Sequence, residues 1–143
     1  MLKTYPVTRS DDEWRNLLTP EQFRLMREQG AERPHSSALV HEKRSGTYSC
    51  AGCDAPLFEG SMKFESGTGW PSFAEPIPAA VETVADDSYM GGYHAPYGAI
   101  QTEVRCATCG SHLGHVFKDG PPPHGLRYCT NGVALRFTPD GTQ

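Results

Sequence analysis

Five cysteines are present, and four of them form two C-x-x-C pairs, Cys50 with Cys53 and Cys106 with Cys109. One tight turn can direct both thiolates of such a pair at a single ion, and two turns complete the tetrahedron of soft ligands that zinc prefers. The segments CAGCDAPL and CATCGSHL also share an alanine and a leucine, which indicates two similar turns. We expect a closed, structural zinc site. The alternatives are bound iron and a thioredoxin-like redox pair, which two copies without a βαβ pattern disfavour.

Cys129 lies outside these pairs, in the segment GLRYCTNG. Side chains alternate along an extended strand, so Arg127, Cys129 and Asn131 would share one face. A cationic neighbour favours the reactive thiolate, and an amide can hydrogen-bond a thiolate or a substrate oxygen. Burial acts on the Cys129 pKa in the opposite direction, so the sequence leaves that pKa open. The segment fits a nucleophile and a buried structural cysteine equally well.

Two histidines, His112 and His115, follow the second cysteine pair. Imidazoles three residues apart can flank one pocket and act as general acids or hydrogen-bond donors near neutral pH. The alternatives are an exposed pair and a second, catalytic metal, which would need a third ligand.

Trp70 and Phe73 lie in the segment SGTGWPSF, which lacks the lysine and the spacing of a phosphate-binding loop. On its own, the segment is typical of a glycine-rich loop that carries two aromatic side chains into a core. Beside a nucleophilic thiol, however, an indole surface would suit a small apolar group such as a methyl.

The length of 143 residues predicts a single domain, residues 1–143, with one core. Thirteen basic and seventeen acidic residues give a net charge of −4 without long runs of either sign, so we expect no nucleic-acid partner.

The N-terminus lacks the apolar core of a signal peptide, and no stretch approaches the roughly twenty apolar residues that cross a bilayer. We therefore predict a cytoplasmic protein that does not bind membranes. A disulfide framework is not expected in that reducing compartment.

Short elements must position these groups, because the chain contains 15 glycines and 12 prolines. Ser10 and Thr19 each begin a capping box, which predicts N-terminal helices within residues 11–29. Their inward side chains are expected to be Trp14, Leu17, Leu18, Phe23 and Met26. Residues 46–138 predict a β region with strands at Thr47–Ser49, Ile100–Arg105, His115–Phe117, Leu126–Cys129 and Val133–Phe137. A stiff, proline-rich surface loop begins at Asp119 and leads to Cys129.

These motifs together resemble the methionine-R-sulfoxide reductase B family. The resemblance covers roughly residues 10–138 and depends on both cysteine pairs and on the segments PEQFRLMREQGAERPHS, KFESGTGWPSF, VRCATCGSHLGHVF, DGPPPHGLRYCTN and VALRF. It implies a mainly β fold of the Mss4-like type, with coiled antiparallel sheets, short N-terminal helices and one structural zinc remote from the chemistry. It also implies repair of oxidised proteins under oxidative stress, by reduction of the R epimer of methionine sulfoxide.

By position, the resemblance makes Cys129 the nucleophile, which attacks the sulfoxide sulfur and becomes a sulfenic acid. His115 would protonate or hydrogen-bond the oxygen with the help of His112, and Asn131 would orient the site. We expect the Cys129 sulfur to be unligated and ionised. The residues expected around the substrate are Trp70, which would contact its methyl group, and Phe73, Arg127 and Asp119.

One departure from the family concerns Thr68, since many relatives carry a cysteine there that forms a disulfide with the nucleophile. The four paired cysteines are expected on zinc, so no resolving thiol is evident. We therefore expect thioredoxin, glutaredoxin or a small thiol to reduce the sulfenic acid directly.

Two other functions fit parts of the pattern. A zinc-knuckle binding module would use both C-x-x-C turns to present loops to a partner, and a zinc hydrolase would use His112 and His115. A Cys129→Ser variant that keeps its zinc but loses its function would exclude the module. One zinc per chain would exclude the hydrolase.

Overall fold

The computed structural model describes residues 5–28, 30, 32–86 and 101–140. Within these residues, two short helices precede a region of short strands. The helices are α1 (Asp11–Leu17) and α2 (Pro20–Arg27). The strands are β1 (Gly46–Cys50), β2 (Pro56–Glu59), β3 (Lys63–Phe64), β4 (Ser72–Phe73), β5 (Val81–Asp86), β6 (Gln101–Cys106), β7 (His112–Phe117), β8 (Arg127–Thr130) and β9 (Leu135–Pro139).

The strands form two antiparallel sheets. One has the order β2-β1-β9, and the other has the order β3-β4-β8-β7-β6-β5. Because β1 pairs with β9, the two ends of the β region lie side by side. The prediction of a mainly β fold with antiparallel sheets and N-terminal helices is confirmed.

Aromatic rings join the two sheets. Phe73, on the six-stranded sheet, stacks on Phe58 of the three-stranded sheet with ring centroids 4.3 Å apart. Tyr48 of β1 meets the same ring edge-on at 5.0 Å. All three side chains are fully buried, so these contacts form the centre of the core.

Both helices begin with the predicted capping boxes. Ser10 Oγ accepts a hydrogen bond from the Glu13 N–H while the Glu13 side chain accepts one from the Ser10 N–H, and Thr19 and Gln22 repeat the arrangement. The prediction that Leu17 faces inward is wrong. Its side chain is 49 % exposed, because α1 has only seven residues and buries a single side chain, that of Trp14. Neither described helix has the length and apolar character needed to cross a bilayer.

The helices cover the two cysteine turns. Trp14 lies over Gly52, where an added Cβ would come within 2.9 Å of the indole ring. Arg27 donates to the Cys109 carbonyl at 3.1 Å and to the Ser111 hydroxyl at 3.0 Å, and its guanidinium lies 4.4 Å from the centre of the Trp14 ring. The N-terminal helices are therefore attached to the part of the chain that carries the paired cysteines.

The strands predicted from sequence overlap β1, β6, β7, β8 and β9, but the predicted starts at Leu126 and Val133 lie before β8 and β9. Val133 lies in a 3₁₀ turn (Gly132–Ala134), because the Glu32 carboxylate accepts the N–H groups of Gly132 and Val133 and holds the turn. The strands that the sequence did not indicate are β2, β3, β4 and β5. Two of them have only two residues each, which is too short for an alternating pattern. Ile100 lies outside the described residues.

Candidate active site and metal site

The four paired cysteines meet in one cluster. Their Sγ atoms all lie within 4.8 Å of one another, with 3.7 Å between Cys50 and Cys109 and 3.7 Å between Cys53 and Cys106. Thiolates at about 2.3 Å from a zinc ion in a tetrahedron are about 3.8 Å apart, so the observed spacing fits such a site. The cluster is therefore positioned to bind a metal ion.

The two cysteine turns follow the same backbone path. The residue after the second cysteine donates its N–H to the carbonyl of the first, from Asp54 to Cys50 and from Gly110 to Cys106, both at 2.8 Å. Asp54 and Gly110 also share a positive φ, of 66° and 77°. The internal sequence similarity thus reflects two equivalent turns. One joins β1 to β2 and the other joins β6 to β7, so a bound ion would tie the two sheets together.

Hydrogen bonds within the cluster shift the thiol pKa values in opposite directions. Hydrogen bonding with Cys106 is the largest cause in two cases: it lowers the pKa of Cys109 to about 2 and raises that of Cys50. Neighbouring buried thiols cannot all ionise without a compensating cation, so a divalent metal ion suits this set of four thiols.

Cys129 lies apart from this cluster, within the six-stranded sheet. The strand register places Ser72 of β4, Cys129 of β8, His115 of β7 and Glu103 of β6 in one row. Directly opposed residues of antiparallel strands project from the same face, with Cβ atoms about 4.5–5.5 Å apart. A hydroxyl, a thiol, an imidazole and a carboxylate are therefore aligned across four strands.

A β-bulge brings the second histidine to this face. Residues three apart in a regular strand point in opposite directions. Here the pairing passes from Val104 with Gly114 to Arg105 with His112, so Leu113 is an extra residue of β7. The rings of His112 and His115 consequently meet edge to face, with centroids 5.3 Å apart.

The two imidazoles differ in environment. His112 is only 4 % exposed, and its Nδ1 lies 2.7 Å from the Glu103 carboxylate, which also accepts a 2.9 Å hydrogen bond from Arg105. His115 is partly exposed. The prediction that both histidines flank one site fits this geometry, and the alternative of an exposed pair is wrong for His112. Within the described ranges, the histidines join no third side chain that would complete a metal site.

The Cys129 thiol is neutral at physiological pH in the free protein. Burial raises its pKa to about 11, although the charge and hydrogen bond of Arg127 and a hydrogen bond with Thr68 both lower it. The Glu32 carboxylate adds a smaller upward contribution. The expectation of an ionised sulfur is therefore wrong for the resting state, because desolvation outweighs the nearby cation.

Arg127 is held in place by two contacts. Its guanidinium forms a bidentate ion pair with Asp119, with Nε at 2.9 Å and the second nitrogen at 3.1 Å from the carboxylate oxygens. It also lies 4.6 Å from the centre of the Phe117 ring. The guanidinium holds the pKa of Asp119 below its usual range. Asp119 thus holds the guanidinium of Arg127, which is next but one to Cys129 on the same strand.

Residues 18–139 match the family model of the SelR domain. The chain belongs to the SelR domain family. It is 49% identical over 133 residues to the peptide methionine sulfoxide reductase MsrB of Agrobacterium fabrum, a match that covers 93% of each chain. The protein of the same name from Synechococcus sp. is 50% identical over 133 residues, with 92% of each chain covered. That of Leifsonia xyli is 49% identical over 138 residues, or 95% of this chain and 94% of the relative. The family resemblance of the motifs is confirmed.

Glu32 connects several parts of the site in this SelR domain, and sequence reasoning missed it. Its carbonyl accepts the Trp70 Nε1–H at 3.0 Å, and its N–H donates to Asn131 Oδ1 at 3.0 Å. Its carboxylate accepts the N–H groups of Gly132 at 2.8 Å and Val133 at 3.0 Å. Burial raises the pKa of Glu32, and these two backbone hydrogen bonds oppose the rise. Its partners are 38 to 101 positions away in the chain, so no local pattern reveals the role.

Asn131 and Trp70 both hydrogen-bond to Glu32 but differ in their other surroundings. The Asn131 amide accepts from Glu32 and donates to the Leu113 carbonyl at 3.2 Å, so it joins β8 to β7 and to the N-terminal segment. The Trp70 indole is partly exposed and fixed at its Nε1. It borders a cavity of about 20 Å³, which has room for one small group.

The loop before Trp70 brings Thr68 to the Cys129 thiol. Gly67 and Gly69, on either side of Thr68, have positive φ angles of 79° and 93°. A Cβ on Gly69 would also come within 2.6 Å of Pro34. Glycine is thus required beside Thr68 for this path.

The prediction that Phe73 contacts the substrate is wrong. Its side chain is 0 % exposed and packs in the core between the sheets. The reason is strand alternation: the preceding Ser72 occupies the face that carries Cys129, so Phe73 points to the other face. Phe73 therefore positions β4 and does not line the site.

Proposed function

We propose that this protein is a peptide-methionine (R)-S-oxide reductase that repairs oxidised proteins, with Cys129 as its nucleophile. The main support for this proposal is that Cys129 and His115 lie directly opposite each other on β8 and β7 of a SelR domain. The relatives named above are sulfoxide reductases and match nearly the whole chain. A reactive thiol beside an imidazole is the arrangement that this reaction needs.

The reaction begins with attack of the Cys129 sulfur on the sulfoxide sulfur. The substrate sulfur gains two electrons, its bond to oxygen breaks, and oxygen passes to Cys129. The products are methionine and a Cys129 sulfenic acid, whose hydrogen is the former thiol hydrogen. This step conserves all atoms and protons without an external acid or base. It needs only a path for one proton from the thiol sulfur to the sulfoxide oxygen.

His115 is the residue that we assign to this proton transfer. It adjoins Cys129 in the sheet and is partly exposed, so a bound sulfoxide oxygen can reach it. A bare oxide is a poor group to displace, and a proton or hydrogen bond on the oxygen assists the attack. The buried His112, fixed by Glu103, supports the His115 ring from its edge and is given a positioning role.

Four other residues orient the substrate or the nucleophile in this scheme. Trp70 offers an indole wall for the substrate methyl group. With the methyl on Trp70 and the oxygen at His115, the direction of the remaining chain is fixed, and this selects one epimer. Arg127 stabilises negative charge on the Cys129 sulfur as the proton leaves, and Asp119 holds Arg127 for that purpose. Asn131 keeps β8 in register beside β7.

An external thiol would regenerate the enzyme. Thr68 cannot form a disulfide, and the other cysteines are those of the metal cluster. Two thiols, or one dithiol such as thioredoxin, would convert the sulfenic acid to a thiol, a disulfide and water.

We assign zinc to the cysteine cluster, held by Cys50, Cys53, Cys106 and Cys109. A four-thiolate ion has no free coordination position, so its contribution is to stability. We further propose that residues 1–143 act as one domain, in the cytoplasm, without nucleic-acid or membrane partners.

The test is a coupled assay with the separate R and S epimers of a blocked methionine sulfoxide. We expect reduction of the R epimer alone, and none in a Cys129→Ser variant that keeps its metal. One equivalent of substrate without reductant should add one oxygen to Cys129 by mass spectrometry. Reduction confined to the S epimer, or undiminished activity in Cys129→Ser, would reject the assignment.

A further inference from the structure

Three hydroxyl groups lead to the Cys129 sulfur from the β4 side of the site. Ser72 lies opposite Cys129 in the register, and its Oγ is 2.8 Å from Ser66 Oγ. Ser66 Oγ is in turn 2.8 Å from Thr68 Oγ1. Thr68 completes the series, since hydrogen bonding by its hydroxyl lowers the pKa of the Cys129 thiol.

Both ends of this series are anchored. At the inner end, Ser72 is 1 % exposed and its hydroxyl donates to the Trp70 carbonyl at 3.2 Å. Near the outer end, the Thr68 N–H donates to Ser66 Oγ at 3.3 Å, which fixes the Thr68 backbone relative to the serine. The 2.8 Å spacings therefore belong to a constrained arrangement, which is buried at Ser72.

The hydroxyl hydrogens can take two directions along the series, because each hydroxyl donates one hydrogen bond and accepts others. With a neutral Cys129, the thiol donates to Thr68, Thr68 to Ser66, Ser66 to Ser72, and Ser72 to the Trp70 carbonyl. With a negatively charged sulfur, Ser72 donates to Ser66, Ser66 to Thr68, and Thr68 to the sulfur. The reversal requires rotation of hydroxyl hydrogens and no movement of heavier atoms.

We propose that Ser72, Ser66 and Thr68 form a reversible hydrogen-bond relay, which accepts from the Cys129 thiol and donates to the sulfur or its bound oxygen when either carries negative charge. The interaction of the relay with the thiol is inferred from the contacts described above. Its interaction with the sulfenic acid rests on the proposed function. Thr68 touches the reacting sulfur, whereas Ser66 and Ser72 are positioning residues.

The charged groups around Cys129 set the conditions for a test. Arg127 approaches from its own strand and lowers the thiol pKa, and Glu32 approaches from the segment before β1 and raises it. His115 faces the thiol from β7. None of these groups is altered by changes at positions 66 and 68.

The test measures the rate of Cys129 alkylation by iodoacetamide against pH, in the zinc-loaded protein of residues 1–143. In Thr68→Val, which keeps the shape of the side chain, the midpoint should rise by about one pH unit and alkylation at pH 8 should slow about tenfold, because one hydrogen bond to a charged group is lost. Thr68→Ser should restore the wild-type midpoint, and Ser61→Ala, at an exposed site, should leave it unchanged. An unaltered midpoint in Thr68→Val would overturn the proposal.

Ser66→Ala separates a relay from a lone hydrogen bond. It should shift the midpoint in the wild-type background and have no effect in the Thr68→Val background, since its influence passes through Thr68. A Ser66→Ala variant with the wild-type midpoint, or with the same shift in both backgrounds, would refute the relay even if Thr68→Val folded poorly.

A second measurement follows the sulfenic acid after one equivalent of methionine-R-sulfoxide without reductant, by trapping with dimedone at increasing delays. The trapped fraction should decay faster in Thr68→Val than in Thr68→Ser. If the wild-type protein formed no sulfenic acid but the alkylation midpoints moved as described, the proposed function would fail and the relay to the thiol would stand. If sulfenic acid formed normally and the midpoints did not move, the relay alone would fail.

Discussion

Cys129 and His115 occupy directly opposed positions of two neighbouring antiparallel strands, β8 and β7. Their distance is therefore fixed by backbone hydrogen bonds and does not depend on a mobile loop. A thiol whose pKa burial raises to about 11 needs a nearby group that removes its proton as the substrate arrives. Because the sulfoxide oxygen needs that same proton, one imidazole between sulfur and oxygen can satisfy both requirements.

His115→Asn should lower kcat by about 10²–10⁴-fold, the usual contribution of a general acid–base group, with little change in stability. Rates of sulfoxide reduction and thermal unfolding would check this. His124→Asn is the matched control, because His124 is 58% exposed and pairs with Glu75 at the surface. Equal activity of the two variants would remove His115 from the mechanism.

Arg127→Leu should raise the pH midpoint of Cys129 alkylation above that of the wild-type protein, since Arg127 lowers the pKa of this thiol. An unchanged or lowered midpoint would contradict this effect of Arg127.

The pKa shift of Cys129 also predicts how stability changes with pH. The folded pKa lies above the ordinary value of 9.0, so the neutral thiol's contribution to stability is complete below pH 9 and is lost as pH rises toward about 11. Cys129→Ala should therefore remove part of the alkaline loss of stability, measured by urea unfolding at pH 8 and pH 10.5. A steeper loss in Cys129→Ala would contradict the direction of the shift.

The sequence was sufficient for features that depend on local spacing. The capping boxes at Ser10 and Thr19 place hydrogen-bond partners three residues apart, and each cysteine turn is a four-residue motif with a defined ligand geometry. Strand alternation also placed Arg127 and Cys129 together correctly. Family motifs supplied the rest of the candidate site.

Long-range pairing was the main source of error. The motif around Phe73 does not show that this side chain turns inward, because its direction depends on a strand of only two residues. No local pattern indicates the role of Glu32, because its partners become neighbours only after the sheets form. The bulge at Leu113, which brings the two histidines together, also has no signature in the sequence of β7 alone. The upward direction of the Cys129 pKa shift depends on how deeply the thiol is buried, which the sequence does not reveal.

Glu103→Gln should destabilise the fold by about 3 kcal/mol, because it breaks a buried, charged arrangement with His112 and Arg105 and leaves one donor without its acceptor. Urea unfolding at pH 7 provides the measurement. Glu75→Gln, in a surface pair with His124, should leave the free energy of unfolding nearly unchanged. Similar losses in both variants would mean that Glu103 has no special structural importance.

Removal of the metal should unfold or strongly destabilise the protein, because the ion would link the β1–β2 and β6–β7 turns of different sheets. A chelator added under reducing conditions should lower the melting temperature, and Cys109→Ser should reproduce the loss. Cys129→Ser should retain one zinc per chain and the wild-type melting temperature. Loss of zinc from Cys129→Ser would place that sulfur in the metal site and end its assignment as nucleophile.

Thr68→Cys should convert the protein to one that forms an internal disulfide during turnover. Hydrogen bonding by Thr68 lowers the Cys129 pKa, so a thiol at position 68 would lie close to the sulfenic acid and could displace its oxygen as water. After one equivalent of methionine-R-sulfoxide, mass spectrometry should find a loss of two hydrogens in this variant and a gain of one oxygen in the wild-type protein. Thioredoxin should then accelerate turnover of Thr68→Cys more than a monothiol does, because a dithiol resolves the mixed disulfide within one complex. A stable sulfenic acid in Thr68→Cys would contradict the closeness of the side chains at positions 68 and 129. An internal disulfide in the wild-type protein would indicate that a cysteine of the metal cluster can reach Cys129.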